Sequence, residues 1–427
     1  MPGTATSRTL ASLKCHPHAS FSARGGAFEI DASRCSGDAF LESRATLAPM
    51  NRRAMLFPLT LALAACATQS PPPAPATAAP PATVAPPAPL LPPVPQPPER
   101  PVAPASVTDP MLPQAQRIDA FVDYTASAYG VPAQSVRDGL ARAQFLQRTV
   151  DIIARPAEAV RPWSAYRPIF LDDARITGGV AFYAQNRADL DRIAASTGVP
   201  AEYIVAIIGV ETNYRKNTGS YRVLDALYSL AFGYPKRAPF FAGELAQLFA
   251  LGQDEHIDVA SLTGSYAGAM GWGQFMPSSY RNYGKDGDGD GRRDLIGSPR
   301  DAFASIANYF IGYGWKVGGT PFVRAVAAPD AQEFKPENFE AKYTLGELAA
   351  KGYRPADPNA PDQPATLLTL EGAAGPEYWI GYQNFYVITR YNRSINYAMA
   401  VYELAREIKA QATGPAGGST EEDAATR

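Results

Sequence analysis

The sequence predicts a mainly α protein, of α+β type, in which a helical body carries a small β-rich insertion. Three observations lead to that class. Apolar residues recur at helical spacing through most of residues 110–410. Residues 204–210 (Ile-Val-Ala-Ile-Ile-Gly-Val) are apolar on nearly every side, as a helix enclosed by a core must be. Between 317 and 382 the texture changes to short apolar runs separated by Pro, Asp and Gly, which reads as strands.

In chain order, residues 114–129 place Ile118, Phe121, Val122 and Tyr129 on one side of a helix. Pro132 opens a second helix that runs to Arg148. Residues 172–196 form another, closed by Gly198-Val199-Pro200. Pro200 starts the apolar helix, and 221–232 and 239–251 read as two more. Residues 300–312 and 388–410 complete the helical body, while 321–326 and 365–370 are the clearest strands of the insertion.

The N-terminal region has a different character. Residues 1–49 are polar and mixed in charge, unlike an export signal, so we expect them to be a segment upstream of the true start at Met50. Residues 50–66 are expected to be a lipoprotein signal peptide: Asn51-Arg52-Arg53 is basic, an apolar run follows, and small residues end it. The run is about 12 residues, short of the ~20 that a spanning helix needs. Leu63-Ala64-Ala65-Cys66 resembles a bacterial lipobox, which would make Cys66 the lipid-bearing first residue; a soluble signal peptide is the alternative. Ala67 favours the outer membrane, so the expected place is the periplasm of a Gram-negative bacterium, with a lipid anchor. Residues 67–109, dominated by Pro and Ala, are expected to be a disordered tether, and 411–427 a disordered tail. The body then divides into a helical catalytic core at 110–316, a β-rich domain at 317–383 and a core helix at 384–410.

Composition removes several chemistries. With 39 basic and 41 acidic residues the chain is close to neutral, which offers no field for nucleic acid. Beyond Cys66 there is no cysteine, and His256 is the one histidine. A Cys-His peptidase is excluded and a zinc site of several His or Cys ligands cannot be built. Hydrolytic or lytic work must rest on carboxylates, which points to sugars.

Glu211 is the leading carboxylate, because it directly follows the apolar run. Desolvation there favours the protonated form, which a general acid needs near neutral pH; an exposed Glu at a helix end is the plainer alternative. A second constellation spans 264–280 (Gly-Ser-Tyr-Ala-Gly-Ala-Met-Gly-Trp-Gly-Gln-Phe-Met-Pro-Ser-Ser-Tyr). Its glycines allow close backbone approach. Ser265 and Gln274 offer hydrogen bonds, and Trp272 and Phe275 offer stacking faces.

These segments, with Tyr391-Asn392-Arg393-Ser394-Ile395-Asn396-Tyr397-Ala398-Met399-Ala400, resemble the membrane-bound lytic murein transglycosylase B family over residues 119–408. The resemblance implies a lysozyme-like core with an additional helical domain and a small β domain. It implies that Glu211 is the single catalytic acid. It places Ser265 and Gln274 where the family contacts the N-acetyl group and the catalytic carboxylate region. Tyr391, Asn392 and Tyr397 match a cleft wall, and Tyr166 and Tyr309 match further cleft aromatics. Lys236 and Arg237 stand where the family often has two arginines near the stem peptides. The implied reaction cleaves the MurNAc–GlcNAc β-1,4 bond of peptidoglycan, with the C6 hydroxyl closing on C1 to leave a 1,6-anhydro end. A hydrolytic muramidase of the same fold and a non-catalytic peptidoglycan-binding lipoprotein are the competing readings. No organic cofactor is implied, the partners are glycan strands and a membrane, and a monomer is expected.

Asp286-Gly287-Asp288-Gly289-Asp290-Gly291 fits the opening of an EF-hand loop, with hard oxygen ligands at alternate places and glycine at the sharp turn. The last place, ordinarily Glu, is Gly297, and Asp301 is the first acid well beyond it. Arg292 would contribute its backbone carbonyl. The expectation is a structural calcium ion held by Asp286, Asp288, Asp290, Arg292 and Asp301, against an Asp-Gly turn that binds nothing.

Overall fold

The computed structural model describes residues 98–155 and 161–413. Cys66 with its lipobox, residues 1–49, most of the Pro/Ala-rich stretch and the tail beyond residue 413 lie outside the described residues. The expected tether at 67–109 runs too far, because 98–109 pack on the helical body, with the Ala103 N–H donating to Pro239. The expected tail starts too early, because the last helix includes 411–413. The first helices are α1 (Ala105–Thr108), α2 (Gln114–Tyr129), α3 (Ala133–Ala141) and α4 (Gln147–Ala154). Next come α5 (Trp163–Phe170), α6 (Asp173–Gln185), α7 (Arg187–Thr197) and α8 (Ala201–Thr212). α9 (Val223–Gly233) and α10 (Ala238–Asp254) are joined by a tight turn at Pro235–Arg237. After α11 (Pro277–Tyr283) and α12 (Pro299–Gly312) the chain turns to strands, with α13 (Leu345–Ala350) among them, and α14 (Gln383–Tyr391) and α15 (Ile395–Thr413) close it.

Local chemistry sets these boundaries. Asp172 accepts the Arg175 N–H at the start of α6, and Ser298 accepts the Asp301 N–H at the start of α12. Gly130 and Gly198 take left-handed conformations that stop α2 and α7. α8 is buried from Ala201 to Thr212 with the partial exception of Glu202. Ile204, Ile207 and Ile208 are fully enclosed, each stabilising the fold by about 1.5–3 kcal/mol. α15 lies along α8 and α6, α12 meets α7 and α8, and α9 packs on α10, so α8 stands at the centre of the helical body.

Strands β1 (Tyr221–Arg222) and β2 (Thr263–Gly264) form a short pair. β3 (Phe322–Ala327), β4 (Tyr353–Pro355), β5 (Thr366–Gly372) and β6 (Gly375–Gly381) form an antiparallel sheet ordered β4-β3-β6-β5. Alternation along β5 serves two cores. Leu368 and Leu370 join the main helical core, whereas Leu367 joins a smaller cluster with Ala325, Leu348, Tyr353 and Ile380.

Three helices expected as single pieces are pairs. Residues 132–148 break after Ala141 because the Gln144 N–H donates to Asp225 and the Leu146 N–H to Ser229, both on α9. Residues 172–196 break at Asn186, whose side chain donates to the Phe182 carbonyl. Residues 388–410 break between α14 and α15, where Asn392 is extended and the Ser394 N–H bonds its carbonyl.

Candidate active site

α8 ends where Asn213, Tyr214 and Arg215 turn left-handed in succession, with φ of 48°, 58° and 70°. Such a run in residues with a Cβ is strained and needs surrounding bonds to persist. The Asn213 N–H donates to Gly209, and the Tyr214 N–H to Ile208. The Thr212 hydroxyl lies 3.0 Å from the carbonyl oxygens of both Ile208 and Trp272, and accepts the Arg215 N–H. Gly209 makes room for Tyr214: a Cβ there would stand 2.7 Å from the tyrosine hydroxyl, which donates to the Arg175 carbonyl at 2.9 Å. The helix end is thus tied to the loop that carries Trp272, and Glu211 is fixed with it.

Glu211 is 6% exposed, and its Oε1 accepts the Tyr397 hydroxyl at 2.6 Å. Burial pushes its pKa up to about 8, and the Tyr397 bond offsets part of that rise. The carboxyl therefore holds its proton at neutral pH. Burial raises the pKa of Tyr166, Tyr391 and Tyr397, with the Glu211 carboxylate adding to the rise once it ionises, so all three phenols stay neutral.

The loop beside it is built from close backbone contacts. Met270 bridges to both Gly264 and Phe275. Gly271 is left-handed, and a Cβ there would come within 2.4 Å of the Leu295 carbonyl oxygen, so only glycine fits. The turn delivers Gln274, whose Nε2 donates to the Thr218 and Gly271 carbonyls. Its Oε1 is buried and has no partner among the described residues, which leaves an acceptor for an outside N–H. Ser265 braces the loop from within, its Oγ accepting the N–H groups of Ala267 and Ala269.

Glu211, Gln274, Phe275, Tyr309 and Tyr391 line one cleft, together with Arg237 and, from α10, Phe240, Phe241 and Glu244. Phe275 meets Tyr309 and Tyr391 edge-on at 5.9 and 5.8 Å between ring centres, and Tyr309 and Tyr391 are 4.7 Å apart. The Tyr391 hydroxyl donates to Gly273 and that of Tyr309 to Arg390, which anchors both rings. Tyr166 is buried between Trp163 and Phe170, and Tyr397 reaches Glu211 from α15. Tyr166, Tyr397, Ser265, Lys236 and Asn392 are not among the lining residues; Lys236 is exposed.

Residues 113–406 match the family model described as "Transglycosylase SLT domain", which is more than half of the chain. The chain belongs to the transglycosylase SLT family. It is a lytic transglycosylase with a mainly helical, lysozyme-like fold. It is 41% identical over 305 residues to membrane-bound lytic murein transglycosylase B of Escherichia coli (strain K12), covering 69% of this chain and 82% of that protein. Catenated lytic transglycosylase SltB1 from Pseudomonas aeruginosa superposes with a TM-score of 0.67 at 46% identity, covering 71% of this chain and 99% of that one. The E. coli lytic transglycosylase Slt35 in complex with calcium gives 0.63 at 40% identity, covering 69% and 93%. SltB3 from P. aeruginosa in complex with NAG-anhNAM-pentapeptide gives 0.60 at 32% identity, covering 69% and 79%.

In this transglycosylase Glu244, which the sequence offers as an acid on a helix near Glu211 and which reads there as structural, lines the cleft. It is 1% exposed, its two oxygens accept the Ser278 N–H and hydroxyl, and burial pushes its pKa up to about 7 despite those bonds. A carboxylate within the apolar stretch 240–251 was the available signal. Asp225, the other nearby acid, is buried and bonded to Arg222 and the Gln144 N–H, and is not among the cleft residues.

The Asp-Gly loop brings Asp286, Asp288 and Asp290 together, with one oxygen from each within 4.8 Å of the others. Asp286 also accepts the Gly289 and Gly291 N–H groups, and those donors hold its pKa below the usual carboxylate range. Three hard oxygen donors at that spacing fit a divalent cation. Asp301 does not join them. It is buried, its oxygens accept the Gly287 and Asp294 N–H groups, and it clasps the two ends of the loop. Arg292 is exposed and follows Asp290 by two positions, its N–H donating to Asp290 Oδ1.

Proposed function

We propose that this enzyme cleaves the MurNAc–GlcNAc β-1,4 bond of peptidoglycan and leaves a 1,6-anhydro-MurNAc end, with Glu211 as acid and then base. The observation that carries this reading is a carboxyl group lining the cleft, held protonated near neutral pH and steadied by one phenol. Glu211 gives its proton to the glycosidic oxygen as the C1–O4 bond breaks. The carboxylate so formed takes the proton of the C6 hydroxyl, whose oxygen bonds to C1 of the same sugar. No water is consumed and the acid is restored. The unpaired Gln274 Oε1 suits the amide N–H of an N-acetyl group. The resemblance over the Glu211, 264–280 and 391–400 segments and the names of the relatives support the substrate.

Glu244 supports a second reading, hydrolysis by two carboxylates, because it lines the same cleft. Its oxygens are taken by Ser278, which argues for a bracing role instead. For location, the lipobox at Cys66 and the membrane-bound relative support a periplasmic enzyme anchored by lipid to the outer membrane. Among the described residues no single helix is long and apolar enough to cross a membrane. Asp286, Asp288 and Asp290, with the Arg292 carbonyl, would hold a structural calcium ion, and a calcium complex of Slt35 supports that choice. The test is mass spectrometry of fragments released from purified sacculi by the full chain and by Glu211→Gln and Glu244→Gln. Anhydro ends lost in the first variant and kept in the second support the reading; reducing ends overturn it; and retention on sacculi with no release of fragments leaves a binding protein.

A further inference from the structure

The described chain opens at Pro98, and Pro98, Glu99 and Arg100 line the same cleft as Glu211. α10 holds them there. Pro101 is buried against Gly243, where a Cβ would come within 2.6 Å of the proline carbonyl oxygen, and the Ala103 N–H donates to Pro239 at 2.9 Å. The end of the Pro/Ala-rich segment is therefore a built wall of the cleft. It lies outside residues 113–406 that match the family model, so nothing in that match assigns it a role.

Arg100 is exposed, and makes no hydrogen bond or ion pair with another described residue, yet its charge acts on Glu244 and Tyr309. Arg237 lies over the Phe240 and Phe241 rings at 4.6 and 4.8 Å, and Arg390 lines the cleft as well. A chain with a net charge of −2 thus gathers three guanidinium groups at its cleft. Among the lining carboxyls Glu99 is exposed, while Glu211 and Glu244 are buried with pKa values pushed up to about 8 and about 7. The field in the cleft favours an anion. On a peptide-bearing strand the sugars are neutral, because each muramyl lactyl carboxyl is bound as an amide to its peptide, and the carboxylates of such a substrate are on its peptides.

We propose that Arg100 is a specificity residue of the transglycosylase, whose guanidinium, in the same cleft as Arg237, takes carboxylates of the stem peptides on the strand being cut. This rests on the reading that the substrate is peptidoglycan. Arginine suits the task because its planar fork binds a carboxylate through two donors. The Gly243 seat gives that fork a fixed origin.

The test uses the full chain and compares kcat and KM on glycan strands with their peptides and on strands stripped by an amidase, with the lactyl carboxyls so freed converted to neutral amides. The variants are Arg100→Ala, Arg100→Lys and, as a control away from the cleft, Arg137→Ala, whose residue pairs with Asp119. On peptide-bearing strands Arg100→Ala should raise KM about two- to fivefold, as expected for a partly exposed ion pair, with kcat nearly kept. Arg100→Lys should fall between, and high salt should shrink the difference. Stripping the peptides should then cost the wild type more than Arg100→Ala. Equal KM changes on both strands, parity of Arg100→Ala with Arg137→Ala, or a faster Arg100→Ala enzyme would overturn the proposal. A wild type that releases nothing from either strand would instead sink the functional reading beneath it.

Discussion

Replacing Glu211 with Gln should abolish activity and make the protein more stable, by an amount that grows with pH. The folded state holds the Glu211 proton up to about pH 8, whereas a free carboxyl releases it near 4.5. Between those values the folded form binds more protons than the unfolded form, so this group's stabilisation is complete below pH 4.5 and declines as pH rises towards 8. Linkage gives a destabilisation of about 1 kcal/mol at pH 5 and about 3 kcal/mol at pH 7, a difference of about 2 kcal/mol. Gln is the same shape, does not titrate, and can still accept the Tyr397 hydroxyl. For roughly 300 folded residues, 2 kcal/mol corresponds to about 3 °C in Tm. The assay is thermal unfolding of both proteins at pH 5, 6, 7 and 8. The gain from the substitution should widen by about 3 °C between pH 5 and pH 7. Parallel curves would mean that Glu211 titrates as an ordinary carboxyl, and the proton-holding acid would have to be given up.

Tyr397→Phe removes the donor that lowers the Glu211 pKa, so the basic limb of the pH–rate profile should move up and kcat should fall about tenfold; an unmoved limb would count against the contact. Gly209→Ala sets a Cβ 2.7 Å from the Tyr214 hydroxyl, and should lower stability by about 1–3 kcal/mol in urea titrations, with neutrality the contrary result. Calcium at a hundredfold over its Kd should stabilise the wild type by about 2.7 kcal/mol, seen as a raised Tm, and Asp286→Asn should lose most of that gain. A calcium response that survives Asp286→Asn would put the ion elsewhere.

Glu211 could be found in the sequence because a carboxylate closing an all-apolar helix is costly to bury, and that cost marks it for chemistry. Its partner could not be found that way, since Tyr397 lies 186 positions away and only the resemblance joined the two segments. The strand texture of 317–382 was legible because period-2 alternation there serves two cores, through Leu367 on one side and Leu368 on the other. The break after Ala141 was not, because it is made by long-range bonds to Asp225 and Ser229, with no Gly or Pro between Ala141 and Gln147 to mark it. α5 was obscured by Pro168 inside it. The wall formed by Pro98, Glu99 and Arg100 was hidden by its own composition: Pro-rich sequence reads as a tether, and what seats it is the missing side chain of Gly243 far along the chain.

In the proposed reaction one carboxyl, with no water, makes the product. Digestion of sacculi by the full chain in oxygen-18 water, followed by mass spectrometry of the new glycan ends, tests it directly. The expected products are anhydro ends that carry no heavy oxygen and that disappear with Glu211→Gln. Reducing ends labelled at C1 would contradict it and would make Glu244 the partner of a hydrolytic pair.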